Sequence, residues 1–278
     1  MIAALLRDPD EARVARLPRA LSHSRINRYL LCPEQYRLYY IERLRPKIPA
    51  ATLVFGQIIH QAIASFLTRE RDPVSEFNES WNLVRGILLK YPERSSWEKL
   101  NTIGEALVTK FLSEELPRLG VIRAVETPFE LALLNLDIPL VGFIDLIREK
   151  NGHVGIVDFK TAASTYKPGD AALSDQLTAY QLAVPDATEL ALCVLVKTKK
   201  PTIEWHVTTR TDQQLGEYLD KAAYVAQSIA RSRFYTRPGM WCAWCDYRPV
   251  CVGDHATARE TLIELTPSED EGRNGTRV

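Results

Sequence analysis

Hydrophobic positions recur at helical spacing through the first part of the chain and at every second residue later on. Residues 53–68 carry Val54, Phe55, Ile58, Ile59, Ala62, Ile63, Phe66 and Leu67 at helical intervals, so a helix is expected there. An earlier helix is expected through Ile26, Tyr29 and Leu30 as far as Tyr40, capped by Ser22 or Ser24 and made irregular by Pro33. Residues 73–120 read as two or three more helices, interrupted at Tyr91-Pro92 and near Pro117. After Glu126 the pattern becomes strand-like, over residues 129–136, 140–149, 153–161, 190–197 and 202–209. One helix, about 171–183, divides the third strand from the fourth, and a long one, 212–231, follows the fifth. This order predicts an α/β core built on a mixed sheet. No internal repeat interrupts it, and the polar, glycine-containing stretch 264–278 is expected to be a loose tail.

With 278 residues, 46% of them hydrophobic, the chain can bury a full core. Lysine plus arginine equals aspartate plus glutamate at 35 each, so net charge gives no general attraction to nucleic acid and any such binding must be local. Two basic clusters qualify, although such runs are most often solvated faces. One holds Arg25, Arg28, Arg37, Arg43 and Arg45, and the other Lys197, Lys199 and Lys200. No apolar stretch looks long enough for the twenty or so residues of a membrane span. Met1 to Leu6 is too short, and too soon followed by Asp8 and Asp10, for a secretory signal, so a cytoplasmic location without a membrane is expected.

The second and third predicted strands meet at Asn151-Gly152, the pair that best tolerates the two positive φ angles of a type I′ hairpin turn. A two-residue loop pairs Lys150 with His153, and counting back places Asp145 opposite Asp158, with Cβ atoms about 5 Å apart. Lys160, two residues on, falls on the same face. Two carboxylates and an amine then stand among Ile144, Leu146, Ile156, Val157 and Phe159, which is costly unless compensated. A divalent cation would relieve the repulsion between the carboxylates, and a cross-strand Asp–Lys ion pair would use the same residues.

Cys242, Cys245 and Cys251 form a C-x-x-C-x5-C cluster, with Cys32 far upstream. The local C-x-x-C has the spacing of half a zinc site. Cys193, inside an apolar strand, reads as a core residue.

Gly142-x-x-Asp145 followed by Asp158-Phe159-Lys160 resembles the core motif of the PD-(D/E)XK nuclease superfamily. Gly56-Gln57-Ile58-Ile59-His60 and Gln176-Leu177-Thr178-Ala179-Tyr180 resemble the G-x-x-x-H and Q-x-x-x-Y motifs of its RecB-like branch, in the expected order. Leu21-Ser22-His23-Ser24-Arg25-Ile26 and Cys32-Pro33 also look like the start of such a domain. The aspartate before the lysine, where many superfamily members have glutamate, favours that branch. The resemblance implies a restriction-endonuclease-like α/β core, a central mixed sheet flanked by helices. It also implies a cysteine-ligated cluster joining the N- and C-terminal segments.

By the same resemblance His60, Asp145 and Asp158, with the carbonyl of Phe159, bind Mg²⁺ or Mn²⁺. Lys160 orients the attacking water, and Gln176 and Tyr180 contact the DNA. Cys32, Cys242, Cys245 and Cys251 match the ligands of a 4Fe-4S cluster, with zinc as the alternative. The implied activity is that of a DNA exonuclease or end-processing enzyme preferring single strands, in recombination, repair or CRISPR adaptation. Its partner would be a helicase or an integrase-type protein, since the chain has no Walker A motif. The alternative is a DNA-binding or scaffolding subunit of such an assembly. The expected layout is an extension at 1–20, one nuclease domain at 21–255 and a flexible tail at 256–278. Within that domain fall a helical insertion at about 73–120, a core at about 126–232 and a cluster segment at about 238–255.

Overall fold

A computed structural model of the chain describes residues 19–69, 71–133 and 138–266. Helix α1 (His23–Leu31) starts where the Ser22 hydroxyl accepts the Arg25 N–H. It stops at Cys32, which is extended at φ −161° and ψ 111°, because a following proline disfavours the helical conformation. Pro33 then opens α2 (Pro33–Tyr36), which widens into a π turn at Arg37–Ile41. Strand β1 (Leu44–Pro46) leads to α3 (Ala51–Arg69), α4 (Pro73–Leu83) and α5 (Trp97–Lys110).

Next come β2 (Val121–Ala132), β3 (Pro139–Lys150), β4 (His153–Ala162), α6 (Asp175–Ala183), β5 (Glu189–Val196), β6 (Thr202–Thr208) and α7 (Asp212–Ala230). Two short helices, α8 (Arg248–Cys251) and α9 (His255–Thr261), precede β7 (Leu262–Glu264). The expected α/β fold with a mixed sheet is therefore present. Its five strands lie in the order β2-β3-β4-β5-β6, with β3–β4 and β5–β6 antiparallel and β4–β5 parallel. Each residue of β5 beyond Glu189 is buried, as expected of a strand covered on both faces.

Three expectations change. β2 begins at Val121, eight residues before its predicted start, and it is an edge strand with no fully buried residue, so its apolar alternation is weak and Pro128 is tolerated. Residues 134–136 of the predicted strand lie outside the described residues. Helix α9 and strand β7 occupy part of the stretch expected as tail, held by antiparallel pairing of Leu44 with Glu264 and Pro46 with Leu262. Helix α3 is, by length and composition, apolar enough to cross a membrane, with a mean hydropathy of 1.3 over eighteen residues. Its Phe55, Ile59 and Ile63 are instead fully buried against Leu146, Val157 and Cys193 of the sheet.

The described residues fall into two compact units. One comprises Pro49–Leu131 and Val141–Tyr218 and carries nearly all of the sheet. Helices α3, α4 and α5 cover one face of that sheet, and α6 covers the other through Leu177 and Tyr180. Trp81 is fully buried and exchanges indole-to-carbonyl hydrogen bonds with Trp97 at 3.2 and 3.1 Å, so these aromatics serve the core and not an exposed stacking surface. The other unit contains α1, α2, β1 and the chain after Tyr218, where Tyr247 donates to the Leu44 carbonyl at 2.9 Å and the Phe234 ring stacks on Tyr36.

Gly104 lies inside α5, where alanine would ordinarily gain about 1 kcal/mol in helix propensity. A Cβ there would stand 2.0 Å from Cζ of Phe77, itself fully buried, so the clash outweighs the gain. Gly104→Ala is expected to destabilise the protein by about 1–3 kcal/mol, measured as a lowered midpoint in urea unfolding. A raised midpoint would show that α4 and α5 pack less tightly than described.

Candidate active site

The hairpin turn has the predicted form. Asn151 and Gly152 take φ angles of 53° and 77°, and Lys150 pairs with His153. The register runs along β3 and β4 as far as Leu146 opposite Val157. Asp145 lies just past that last rung, so the direct Asp145–Asp158 pairing expected from the sequence is replaced by another arrangement. The Asp145 carboxylate accepts the Phe159 backbone N–H at 2.8 Å, standing in for a main-chain acceptor on β3. This contact draws Asp145 toward the gap between the strands.

Asp158 and Lys160 stay on the face covered by α6, and four side chains close into a ring there. Lys160 Nζ lies 2.8 Å from Asp158 Oδ2 and donates to Gln176 Oε1 at 2.7 Å. Gln176 Nε2 donates to the Tyr180 hydroxyl at 2.7 Å, and that hydroxyl donates to Asp158 Oδ1 at 3.3 Å. Gln176 and Tyr180, one turn apart on α6, thus grip the lysine and the aspartate. No single motif in the sequence announced that link. The approach of Lys160 to Asp158 is an ion pair without hydrogen-bond direction, which leaves buried Oδ2 with no directed donor.

His60 arrives from the opposite side of the sheet. Gly56, one turn earlier on α3, has no Cβ where one would lie 3.0 Å from the Thr161 hydroxyl, so the helix approaches β4 closely. The imidazole packs edge-on to Phe159, with Nδ1 3.5 Å from Asp145 Oδ2.

The electrostatics follow from burial, since Asp145 and Asp158 are only 7% and 1% exposed. Burial raises the Asp145 pKa to about 6, against the opposing pull of Lys160 and the Phe159 N–H. Burial also raises that of Asp158, reinforced by Asp145 and opposed by Lys160. Burial alone would lower the pKa of Lys160, but Asp158 and Asp145 outweigh it and the net direction is upward. Tyr180 is pushed well above its ordinary value by burial and the two carboxylates, so it remains a donor.

The family model described as the PD-(D/E)XK nuclease superfamily matches residues 20–252. The chain belongs to the PD-(D/E)XK nuclease superfamily. Among solved structures, a protein from Eubacterium rectale provisionally assigned as an exonuclease shares the fold at TM-score 0.52 and 13% identity, over 80% of this chain and 85% of that one. A second, SSO0001, aligns at TM-score 0.37 and 13% identity over 84% of this chain and 94% of that one, too distant to define a shared fold. No curated protein matches significantly.

PD-(D/E)XK nucleases generally use divalent metals such as Mg²⁺. Among the described residues no three His, Cys, Asp or Glu side chains stand together as a ready metal cage. The donor set nonetheless fits a hard divalent cation. Two buried carboxylates face one lysine, Asp158 Oδ2 lacks a directed donor, and His60 adjoins Asp145.

The four cysteines outside the sheet belong to the other unit. Cys32 separates α1 from α2, Cys242 lies within a short 3₁₀ turn at Met240–Trp244 whose C-cap is Cys245, and Cys251 ends α8. All four are free thiols. The Cys251 thiol is pushed up to about 11 by burial, then by Glu34, Cys245, Cys32 and Cys242, so the other three lie within its electrostatic reach. Cys193 is fully buried in the sheet core, as expected.

Because the folded pKa of Asp145, about 6, exceeds the unfolded value of about 3.9, protonation favours the metal-free folded state. That stabilisation is complete below about pH 4 and lost as pH rises through about 6. In chelator, Asp145→Asn is expected to remove part of the fall in Tm between pH 4 and 7. Identical pH dependence in the two proteins would contradict a buried, costly carboxylate at this position.

Proposed function

We propose that the chain is a metal-dependent deoxyribonuclease of the RecB-like branch, acting as an exonuclease or end-processing enzyme that prefers single strands. The observation that carries the reading is the closed ring of Asp158, Lys160, Gln176 and Tyr180 beside Asp145. A structural ion pair would need only an aspartate and a lysine. Here a helix is committed to holding the amine and the carboxylate in fixed register. The G-x-x-x-H and Q-x-x-x-Y matches at Gly56–His60 and Gln176–Tyr180 support the branch, and the preference for single-stranded ends rests on that resemblance alone.

His60, Asp145 and Asp158, with the Phe159 carbonyl, would hold Mg²⁺ or Mn²⁺. When bound, such an ion acidifies water and offsets charge developing at phosphorus. Lys160, kept protonated by its two carboxylate neighbours, orients the attacking water and adds a fixed positive charge toward the phosphate. Tyr180 and Gln176 hold that amine and Asp158 in place, and Gln176, half-buried, is the member of the pair open to a DNA strand.

Asp158→Ala is expected to abolish cleavage of 5′- and 3′-labelled single- and double-stranded DNA in Mg²⁺ or Mn²⁺, with the circular dichroism spectrum unchanged. The wild-type product ladders would report polarity and strand preference. Undiminished cleavage by the variant would sink the assignment.

We infer further that Cys32, Cys242, Cys245 and Cys251 hold a 4Fe-4S cluster, with zinc as the alternative. Support comes from the all-thiol donor set and from the influence of the other three cysteines on Cys251. A partly buried Cys251 thiol whose pKa is raised beside three others gives up its proton readily only to a metal. Anaerobically purified protein is expected to be brown and to contain iron and sulfide, and Cys251→Ser to lose both. A colourless protein with one equivalent of zinc would overturn the cluster.

A further inference from the structure

The second basic cluster lies on the connection between β5 and β6, at residues 197–201. This connection leaves the carboxyl end of the parallel β4–β5 pair, whose last rung is Ala162 opposite Val196. The Lys197 N–H donates to the Ala162 carbonyl at 2.7 Å, so Lys197 is still held to the end of β4. In open α/β sheets ligands gather outside the carboxyl ends of parallel strands. Lys160 sits toward the same end, opposite Val194, which puts Lys197 three residues and about 10 Å further along the strand direction.

Alternation along β5 turns Lys197 to the face of Cys193 and Leu195, the face covered by α3. Its amine lies 5.6 Å from the centre of the ring of Phe55, which adjoins Gly56 and lies five residues before His60 on α3. The side chain is therefore half-buried beside the helix that delivers His60. Lys199 and Lys200 are exposed on the same turn, where the Thr198 hydroxyl donates to the Lys200 carbonyl at 2.6 Å.

None of the three amines forms an ion pair with a carboxylate among the described residues. Lys160 pairs with Asp158 and Lys110 with Glu114, but no ion pair involves Lys197, Lys199 or Lys200. Burial lowers the pKa of Lys197, and no acidic neighbour restores it. A chain with as many acids as bases thus leaves a partly desolvated cation and two exposed ones together at the active-site end of the sheet. Contact with the Phe55 ring offsets a small part of that cost. A bound anion would offset more.

We propose that Lys197, with Lys199 and Lys200 at its rim, grips the sugar–phosphate backbone of the substrate strand beside the scissile phosphodiester. Lys197 follows the last rung of the parallel pair, beyond Lys160 along the strand direction, so the lysines would meet phosphates flanking the one being cleaved. The contact positions the strand without reading sequence, and the role is one of binding. This inference rests on the nuclease reading, and it can be separated from it.

The test is fluorescence anisotropy of a labelled single-stranded oligonucleotide, titrated in EDTA over a series of salt concentrations. Lys197→Met keeps an apolar stem against Phe55 and removes the charge. It is expected to weaken binding several-fold, alike for all sequences, and to make the slope of log K against log[salt] shallower by about 0.7. Lys199→Gln/Lys200→Gln should flatten it by up to about 1.4. Lys197→Arg should keep the wild-type slope, and Lys150→Gln, at the hairpin turn, should leave it unchanged. With Mg²⁺ or Mn²⁺, Lys197→Met should raise KM several-fold and hold kcat within about twofold. An unchanged slope in folded Lys197→Met, with wild-type protein that cleaves, would overturn the loop proposal alone. A chain that shows the slope changes but never cleaves would count for the loop and against the nuclease reading.

Discussion

A backbone N–H inside a sheet has to find an acceptor, and at Phe159 the neighbouring strand no longer supplies one. The β3–β4 ladder ends at Leu146 and Val157, and the Asp145 side chain takes the vacant place. Much of the site depends on that substitution. It anchors the first carboxylate in the gap between two strands, where the His60 imidazole reaches it from α3. The main chain of Phe159 is held at the same point, between the residues that carry the second carboxylate and the lysine. A fully paired hairpin would have left Asp145 on one face of the sheet.

The second constraint is electrostatic. Two carboxylates are buried among apolar side chains with one partly exposed amine beside them, and burial raises the pKa of each acid. The ring through Gln176 and Tyr180 limits the cost by giving Lys160 and Asp158 directed partners. It leaves Asp158 Oδ2 without one, and the negative charge exceeds the positive when both acids are ionised. Such a centre is stable enough to fold and still short of positive charge.

Much of this was legible in the sequence where the controlling interactions are local. Asn151-Gly152 set the turn and the hairpin register, the period of two placed Lys160 beside Asp158, and helical spacing located α3 and α7. The point where the strands part was not legible, because it depends on tertiary packing at Ile144 and Asp145 and not on any turn residue. The ring was hidden for a similar reason: its halves lie on β4 and α6, separated by a loop, and only the parallel crossover brings them together. Edge strand β2 and the small β1–β7 sheet lacked strong apolar alternation, since β2 buries no residue fully and β1 and β7 are three residues each. The cysteine spacing was visible at once, whereas the pairing of Leu44 with Glu264 that ties the two ends of that unit together was not.

The hairpin turn also bears on the order in which the centre assembles. Pairing that starts at Asn151-Gly152 is local in sequence and closes on a timescale of about 1–10 μs, carrying Asp145 toward Asp158 as it zips. Docking of α3 joins residues far apart in the chain and is slower for that reason. The two acids can therefore meet before His60 arrives. Until α3 and α6 dock on the sheet, the carboxylates remain hydrated and close to their ordinary acidity, so the electrostatic penalty of the site falls on helix docking and not on hairpin closure.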